Sequence, residues 1–193
     1  NDNLAVAILA AGKGTRMDSE LPKVLHKINN SPMVIEVVKT AQTLHPKKIV
    51  LIVGFKKELV KNTLANFEVS YATQNEQKGT AHAIISAKKY LLHTNLLVLF
   101  GDVPLITYAS IKKLINNFSK NKLRGSMIAF KTDKPFGYGR VKTQGNCVTS
   151  IVEELNASSK EKKINLCNSG VMLCNSNLLF AHISKISNKN TKK

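Results

Sequence analysis

Tryptophan is absent from this 193-residue chain, and cysteine, proline and aspartate are scarce. The three cysteines, Cys147, Cys167 and Cys174, have no metal-site spacing and leave one thiol over in any disulfide scheme. That excludes a disulfide framework and a zinc ribbon, and the three read as reduced, buried thiols of a cytoplasmic protein. No apolar run approaches the length of a membrane span, and the N-terminus lacks the charged-then-apolar layout of a signal peptide. The chain opens on Asn1 rather than Met, which reads as a trimmed or partial product. Acidic residues are few as well: 12 Asp and Glu face 29 Lys and Arg, for a net charge of +17. Such a charge points first to nucleic acid. Its make-up points elsewhere, because only Arg16, Arg124 and Arg140 are arginine, while nineteen asparagines accompany the lysines. This is a general lysine- and asparagine-rich composition, with arginine kept where its fork geometry matters. It suits anionic small-molecule substrates better than a nucleic-acid surface.

What is present is the pattern of one α/β domain. Strand-like runs at 4–9, 48–53, 67–72 and 95–100 alternate with helical patterns. Val34, Val37, Val38, Ala41 and Leu44 fall on one helical face, with Ser31-Pro32 as cap and first-turn residue. Further helices are predicted over about 56–65, 80–91 (Ala81, Ile84, Ile85 and Leu91 on one face) and 107–119 (Ile111, Leu114, Ile115 and Phe118). This alternation implies a mostly parallel sheet with helices on both faces. From about residue 125 the texture becomes β-rich, with strands predicted at 125–131, 138–143, 147–152 and 164–174. Gln144-Gly145-Asn146 reads as a turn, Asn156 to Lys163 as a surface loop, and the tail from Asn188 as disordered.

Four motifs carry candidate chemistry. In the first, the apolar run Leu4 to Leu9 opens into Ala10-Ala11-Gly12-Lys13-Gly14-Thr15-Arg16-Met17, with Leu21-Pro22-Lys23 close behind. A buried strand leading into a glycine-rich, cationic loop is a phosphate cradle. It is neither a Walker A loop nor a dinucleotide fingerprint, since Met17 stands where the third glycine belongs. In the second, Phe100-Gly101-Asp102-Val103-Pro104-Leu105 places Asp102 just past a buried strand. There it is either a Mg²⁺ ligand or a cap for the turn before Thr107.

The third is Gln74-Asn75-Glu76-Gln77-Lys78-Gly79-Thr80-Ala81-His82-Ala83. A glutamine that both donates and accepts suits a base edge, Thr80 reads as the N-cap of a helix, and His82 reads as packed. The fourth gathers Gly137-Tyr138-Gly139-Arg140, Val152-Glu153-Glu154 and Asn168-Ser169-Gly170. There Gly139, Glu153 and Asn168 are able to hydrogen-bond sugar hydroxyls and an acetamido group.

The string from Leu9 to Met17 with Leu21-Pro22-Lys23-Val24-Leu25 resembles the signature of nucleotidyltransferases that join a nucleoside triphosphate to a sugar phosphate. All four motifs, in order over about residues 4–174, resemble the pyrophosphorylase domain of bacterial bifunctional N-acetylglucosamine-1-phosphate uridyltransferase / glucosamine-1-phosphate acetyltransferase. The resemblance implies a Rossmann-like, GT-A-like nucleotidyltransferase domain of the α/β class, with a nucleotide-binding half over about 1–124 and a sugar-binding half over about 125–187. It implies uridylyl transfer from UTP to N-acetylglucosamine 1-phosphate with Mg²⁺, in cell-wall and lipopolysaccharide precursor synthesis.

By the same resemblance, Leu9, Ala10, Ala11, Gly12 and Lys23 contact the nucleotide, and Gln74, Gly79 and Thr80 hold the uracil. Arg16 neutralises the triphosphate, Phe100, Gly101 and Asp102 line the pocket on the sugar-binding side, and Asp102 ligates Mg²⁺. Gly139, Glu153 and Asn168 bind the sugar. Arg16, Lys23 and Asp102 are then the catalytic set.

Three departures stand out. Glu154-Leu155-Asn156-Ala157 occurs where the family has a Lys-Asp-Ala segment. The chain ends before the family's Gly-Glu-Tyr-Tyr segment and the asparagine that completes the metal site. No counterpart of the trimerising, acetyl-transferring β-helix is present, so a C-terminally incomplete domain without acetyltransferase activity is expected. The competing readings are a nucleotidyltransferase for another sugar phosphate or molybdopterin, a non-catalytic nucleotide-binding module, and a nucleic-acid binder.

Overall fold

The computed structural model describes residues 3–14 and 19–183. These fall into two compact units, one within Asn1–Ser126 and Leu173–Lys193, the other Met127–Met172. The chain returns to the first unit at Leu173.

The first unit opens with β1 (Leu4–Ala10) and a small ribbon of β2 (Lys27–Ile28) and β3 (Ser31–Pro32). There follow α1 (Met33–Gln42), β4 (Lys48–Val53), α2 (Lys57–Thr63), β5 (Ser70–Thr73), α3 (Thr80–Ser86), α4 (Lys88–Leu91), β6 (Asn95–Phe100) and α5 (Tyr108–Lys120). Strand β7 (Gly125–Lys131) leads into the second unit. That unit contains β8 (Arg140–Gln144) and β9 (Cys147–Val152), and β10 (Leu166–Asn175) leads back to α6 (Ser176–Ile183).

Strands β1, β4 and β6 are near-continuous aliphatic runs, and such runs are stable only when both sheet faces are covered. Their residues are correspondingly buried, with Val6, Ile8, Leu51, Ile52, Leu97 and Leu99 at 0% exposure. The order in this unit is β5–β4–β1–β6. β1 is parallel to both its neighbours, with Leu9 opposite Ile52 on one side and Phe100 on the other. The chain thus steps outward from β1 to β4 and β5, then returns to lay β6 on the far side of β1. The carboxyl ends of β1 and β6 flank this reversal, the place where open α/β sheets bind ligands.

Several local expectations are corrected. Ser31 and Pro32 form β3 instead of the start of a helix, and Pro32 is the N-cap of α1. The strand expected at 67–72 begins only at Ser70. The helix expected over 80–91 breaks at Ala87, after the Ser86 hydroxyl bonds the Ala83 carbonyl at 2.6 Å. Such back-bonding competes with the helical ladder. Ala83 replaces Ile85 on the buried face, and Ile85 is exposed. Thr107, not Asp102, caps α5, accepting from the Ser110 amide at 3.2 Å.

The second unit is built differently. β8 and β9 form an antiparallel hairpin turning at Gly145, whose φ is +58°, and β8 also pairs with β10. β9 is exposed over most of its length. The largest fully buried side chain is Arg140, whose guanidinium donates to the Tyr138 carbonyl, to Glu154 Oε2 at 2.7 Å and to the Lys162 carbonyl at 3.4 Å. Asn156 to Lys163 is not a plain loop. It takes in the last residue of one 3₁₀ turn, Glu154–Asn156, and all of another, Glu161–Lys163. Cys167 and Cys174 are buried thiols, while Cys147 is exposed, contrary to expectation.

Candidate functional site

A cavity of about 310 Å³ lies at the carboxyl ends of β1 and β6, within the first unit. Leu9 and Phe100, partners across these strands, form part of its lining. Glycines let the surrounding backbone close in. A Cβ on Gly54 would lie 2.9 Å from the Ala11 carbonyl, and one on Gly101 would lie 3.1 Å from the Leu9 carbonyl. Gly14 has φ +68° and comes so near Lys23 that a Cβ would stand 2.8 Å from the lysine Cβ. Around Gly12, by contrast, a Cβ would meet nothing within 4 Å.

Lys23 follows Pro22 and starts a 3₁₀ turn whose next two residues, Val24 and Leu25, are buried. That anchorage aims a flexible side chain at one place. Its ammonium sits 2.6 Å from Asp102 Oδ2, with the two side chains 42% and 24% exposed. Asp102 is the one carboxylate on the cavity among the described residues. A cation and an anion thus meet at the mouth of a glycine-lined hollow, where either can turn to a charged ligand.

The opposite wall comes from the segment after β5. Gln74 is 4% exposed. Its Nε2 donates to the Gly79 carbonyl at 3.1 Å and lies 3.2 Å from Nδ1 of His82. The amide nitrogen thus has two neighbours within hydrogen-bonding reach, and its Oε1 remains as an acceptor. Gly79, at φ +90°, is the N-cap of α3, so Thr80 is the first helical residue and not the cap. Sequence reasoning missed Gln77, whose Nε2 donates to the Ala11 carbonyl at 2.8 Å and ties this wall to the glycine loop. The partners are 66 residues apart, so no local pattern announces the bond.

Of the nucleotide-binding candidates, Leu9, Ala11, Gly12, Lys23, Gln74, Gly79 and Thr80 line this one cavity, and so do Phe100 and Asp102 of the sugar-binding ones. Ala10 is buried in the sheet at 1% exposure, and Gly101 donates its amide to the Leu9 carbonyl at 2.9 Å, so neither is among the lining residues. Arg16 lies outside the described residues. In the second unit Gly139, Glu153 and Asn168 are neighbours. The Asn168 amide donates to the Gly139 carbonyl at 2.9 Å, and a Cβ at 139 would stand 3.2 Å from Glu153 Oε1. No group of three or more His, Cys, Asp or Glu able to hold a metal occurs among the described residues.

Residues 6–185 match the model of the MobA-like NTP transferase domain. The chain belongs to that family. Among its relatives is "Bifunctional protein GlmU" of Idiomarina loihiensis, 40% identical over 98% of this chain and 42% of the relative. The chain thus spans less than half the length of the curated relatives it matches. In fold, this NTP transferase domain is similar to a protein from Bacillus anthracis named for glucose-1-phosphate thymidylyl transfer and solved with sucrose. That match has a TM-score of 0.81 and 23% identity, covering 95% of this chain and 76% of the other. It is also similar to a UDP-glucose pyrophosphorylase solved with UDP-glucose, with a TM-score of 0.75 and 17% identity, covering 92% and 78%. The mixed, mostly parallel sheet with its helices is the architecture these neighbours share.

Proposed function

We propose that this domain transfers a uridylyl group from UTP to N-acetylglucosamine 1-phosphate, giving UDP-N-acetylglucosamine and pyrophosphate. The observation that carries the reading is the Lys23–Asp102 pair at the mouth of the cavity, 2.6 Å across and open to solvent. The relatives named bifunctional protein GlmU support the choice of reaction. A phosphate oxygen of the sugar phosphate attacks the α-phosphorus of UTP. The new P–O bond forms as the bond to the β-phosphate oxygen breaks, and pyrophosphate leaves with the electron pair. The nucleophile arrives ionised, so no general base is needed, and catalysis rests on positioning and charge neutralisation.

In this reading Leu9, Ala10, Ala11 and Gly12 cradle the nucleotide, Lys23 and Arg16 meet its phosphates, and Gln74, Gly79 and Thr80 face the uracil. Gly101 shapes the turn before Asp102. Gly139, Glu153 and Asn168 hold the N-acetylglucosamine. Asp102 is the residue that would hold Mg²⁺. A lone carboxylate is a poor cage but a sufficient anchor for an ion held mainly by substrate phosphates and water, and its pairing with Lys23 shows that it already accepts a cation. When bound, the ion neutralises charge on the phosphate oxygens. We place the reaction in the cytoplasm, in synthesis of cell-wall and lipopolysaccharide precursors. No helix among the described residues is long and apolar enough to cross a membrane.

Pyrophosphate release, measured across a panel of nucleotides and sugar phosphates with Mg²⁺, tests the proposal. The fastest release is expected with UTP and N-acetylglucosamine 1-phosphate. Faster release with another pair replaces the substrate assignment, and UTP binding without turnover replaces catalysis with a binding role.

A further inference from the structure

The Gln74 carboxamide is nearly dry, at 4% exposure, and its orientation is decided by its surroundings. The Gly79 carbonyl, 3.1 Å away, accepts only, so the amide nitrogen must face it. The amide nitrogen has no lone pair to offer, so Nδ1 of His82, at 3.2 Å, must be the acceptor of the second proton. This fixes the imidazole as the Nε2–H tautomer. Among the described residues nothing donates to Gln74 Oε1, and the residue lines the cavity.

We infer that His82 is a positioning residue for base choice: by taking the second amide proton of Gln74, it leaves the carboxamide only an oxygen to present. An acceptor selects a base edge that donates. Uracil offers N3–H at that edge, whereas cytosine offers a bare N3 and would face a second acceptor. Without the imidazole, one amide proton is left without a partner in a dry pocket, which is costly. With only the Gly79 carbonyl left to hold it, the carboxamide is freer to swing that unpartnered proton toward the base, and the refusal of cytosine is weakened. This inference rests on the uridylyl-transfer reading.

The test is calorimetric titration of UTP, CTP and inorganic pyrophosphate, each with Mg²⁺, into the full chain and two variants. His82→Leu removes the acceptor. His82→Asn keeps one, because the asparagine Oδ1 falls close to the place of Nδ1. Wild type is expected to favour UTP. His82→Leu is expected to lose about tenfold of that preference, the scale of one misplaced hydrogen bond, with pyrophosphate affinity unchanged. His82→Asn is expected to restore it.

Full preference retained in His82→Leu overturns the inference and leaves the uridylyl reading standing. Equal binding of the two nucleotides by wild type, or binding of neither, overturns both. If His82→Leu also loses pyrophosphate, His82→Asn decides: UTP preference regained supports the inference, and preference still absent overturns it.

Discussion

Strands β1, β4 and β6 of the first unit bury nearly everything they carry, whereas β9 of the second unit is exposed along most of its length and an arginine is the largest side chain fully buried there. In Met127–Met172 the buried apolar residues are Val141, Ala157, Cys167 and Val171. The first unit is held by aliphatic contact, each buried Val, Leu or Ile contributing roughly 1.5–3 kcal/mol. On the proposed reading that leaves Lys23 and Asp102, both partly exposed, to serve a ligand. The second unit uses its polar groups to stand up: Arg140 on Glu154, Glu154 on the Gly137 amide, and Lys142 on Glu161. On the proposed reading, charge at the first site serves chemistry, whereas Arg140, Glu154, Lys142 and Glu161 of the second unit serve architecture.

The sharpest way to break that contrast is to remove charge from the cavity. Lys23→Ala and Asp102→Asn are each expected to lower pyrophosphate release by at least about a hundredfold. The melting temperature should hold, because exposed pairs contribute about 0–1 kcal/mol. Loss of stability in step with activity would show that the pair supports the fold instead.

Glu154→Ala is the counterpart in the second unit. It removes the carboxylate partner of the buried Arg140 guanidinium, whose Nε already has none, and is expected to lower the urea midpoint clearly. An unchanged midpoint would remove the contrast.

Acid sharpens it further. Lys142, with help from the amide and hydroxyl of Ser158, holds the Glu161 carboxyl at about 2 against an ordinary 4.5. A depressed carboxylate stabilises fully above its unfolded value, and that stabilisation fades as pH falls from 4.5 toward 2. The protection of the β8 and β9 amides, with the intrinsic pH dependence of exchange divided out, should therefore fall across this window in the wild type. In Glu161→Gln that part of the pH dependence should vanish, and identical profiles would refute the assignment.

The smallest effect concerns thiols. Cys147 is expected to take one alkyl group under native conditions, while Cys167 and Cys174 stay unmodified, burial pushing the Cys174 thiol up to about 11. Native mass spectrometry showing three fast adducts would mean that the sheet opens readily at β10.

The parallel strands were legible because burial on both faces leaves an unbroken aliphatic signature, as in Leu4 to Ala10 and Leu96 to Leu99. The glycines and cations of the cavity were legible because a strand end, a turn and a charge lie together in sequence. Gln77 on the Ala11 carbonyl, the Gln74–His82 bond and the Arg140–Glu154 pair were not, since each joins residues whose meeting depends on the finished fold. The break at Ala87 escaped for the opposite reason. One serine hydroxyl folding back on its own helix overrides a periodicity that still reads as continuous. The two-residue strand at Ser31–Pro32 was hidden because a proline serves a turn, an edge strand or a helix start alike.

Gly14 carries a consequence for heredity. Every single-base missense change in a glycine codon installs a residue that has a Cβ, and here that atom would stand 2.8 Å from the Cβ of Lys23 on a backbone at φ +68°. No neutral neighbour exists for this codon, so a lineage that loses the glycine has no one-step substitute that leaves the lysine where it is.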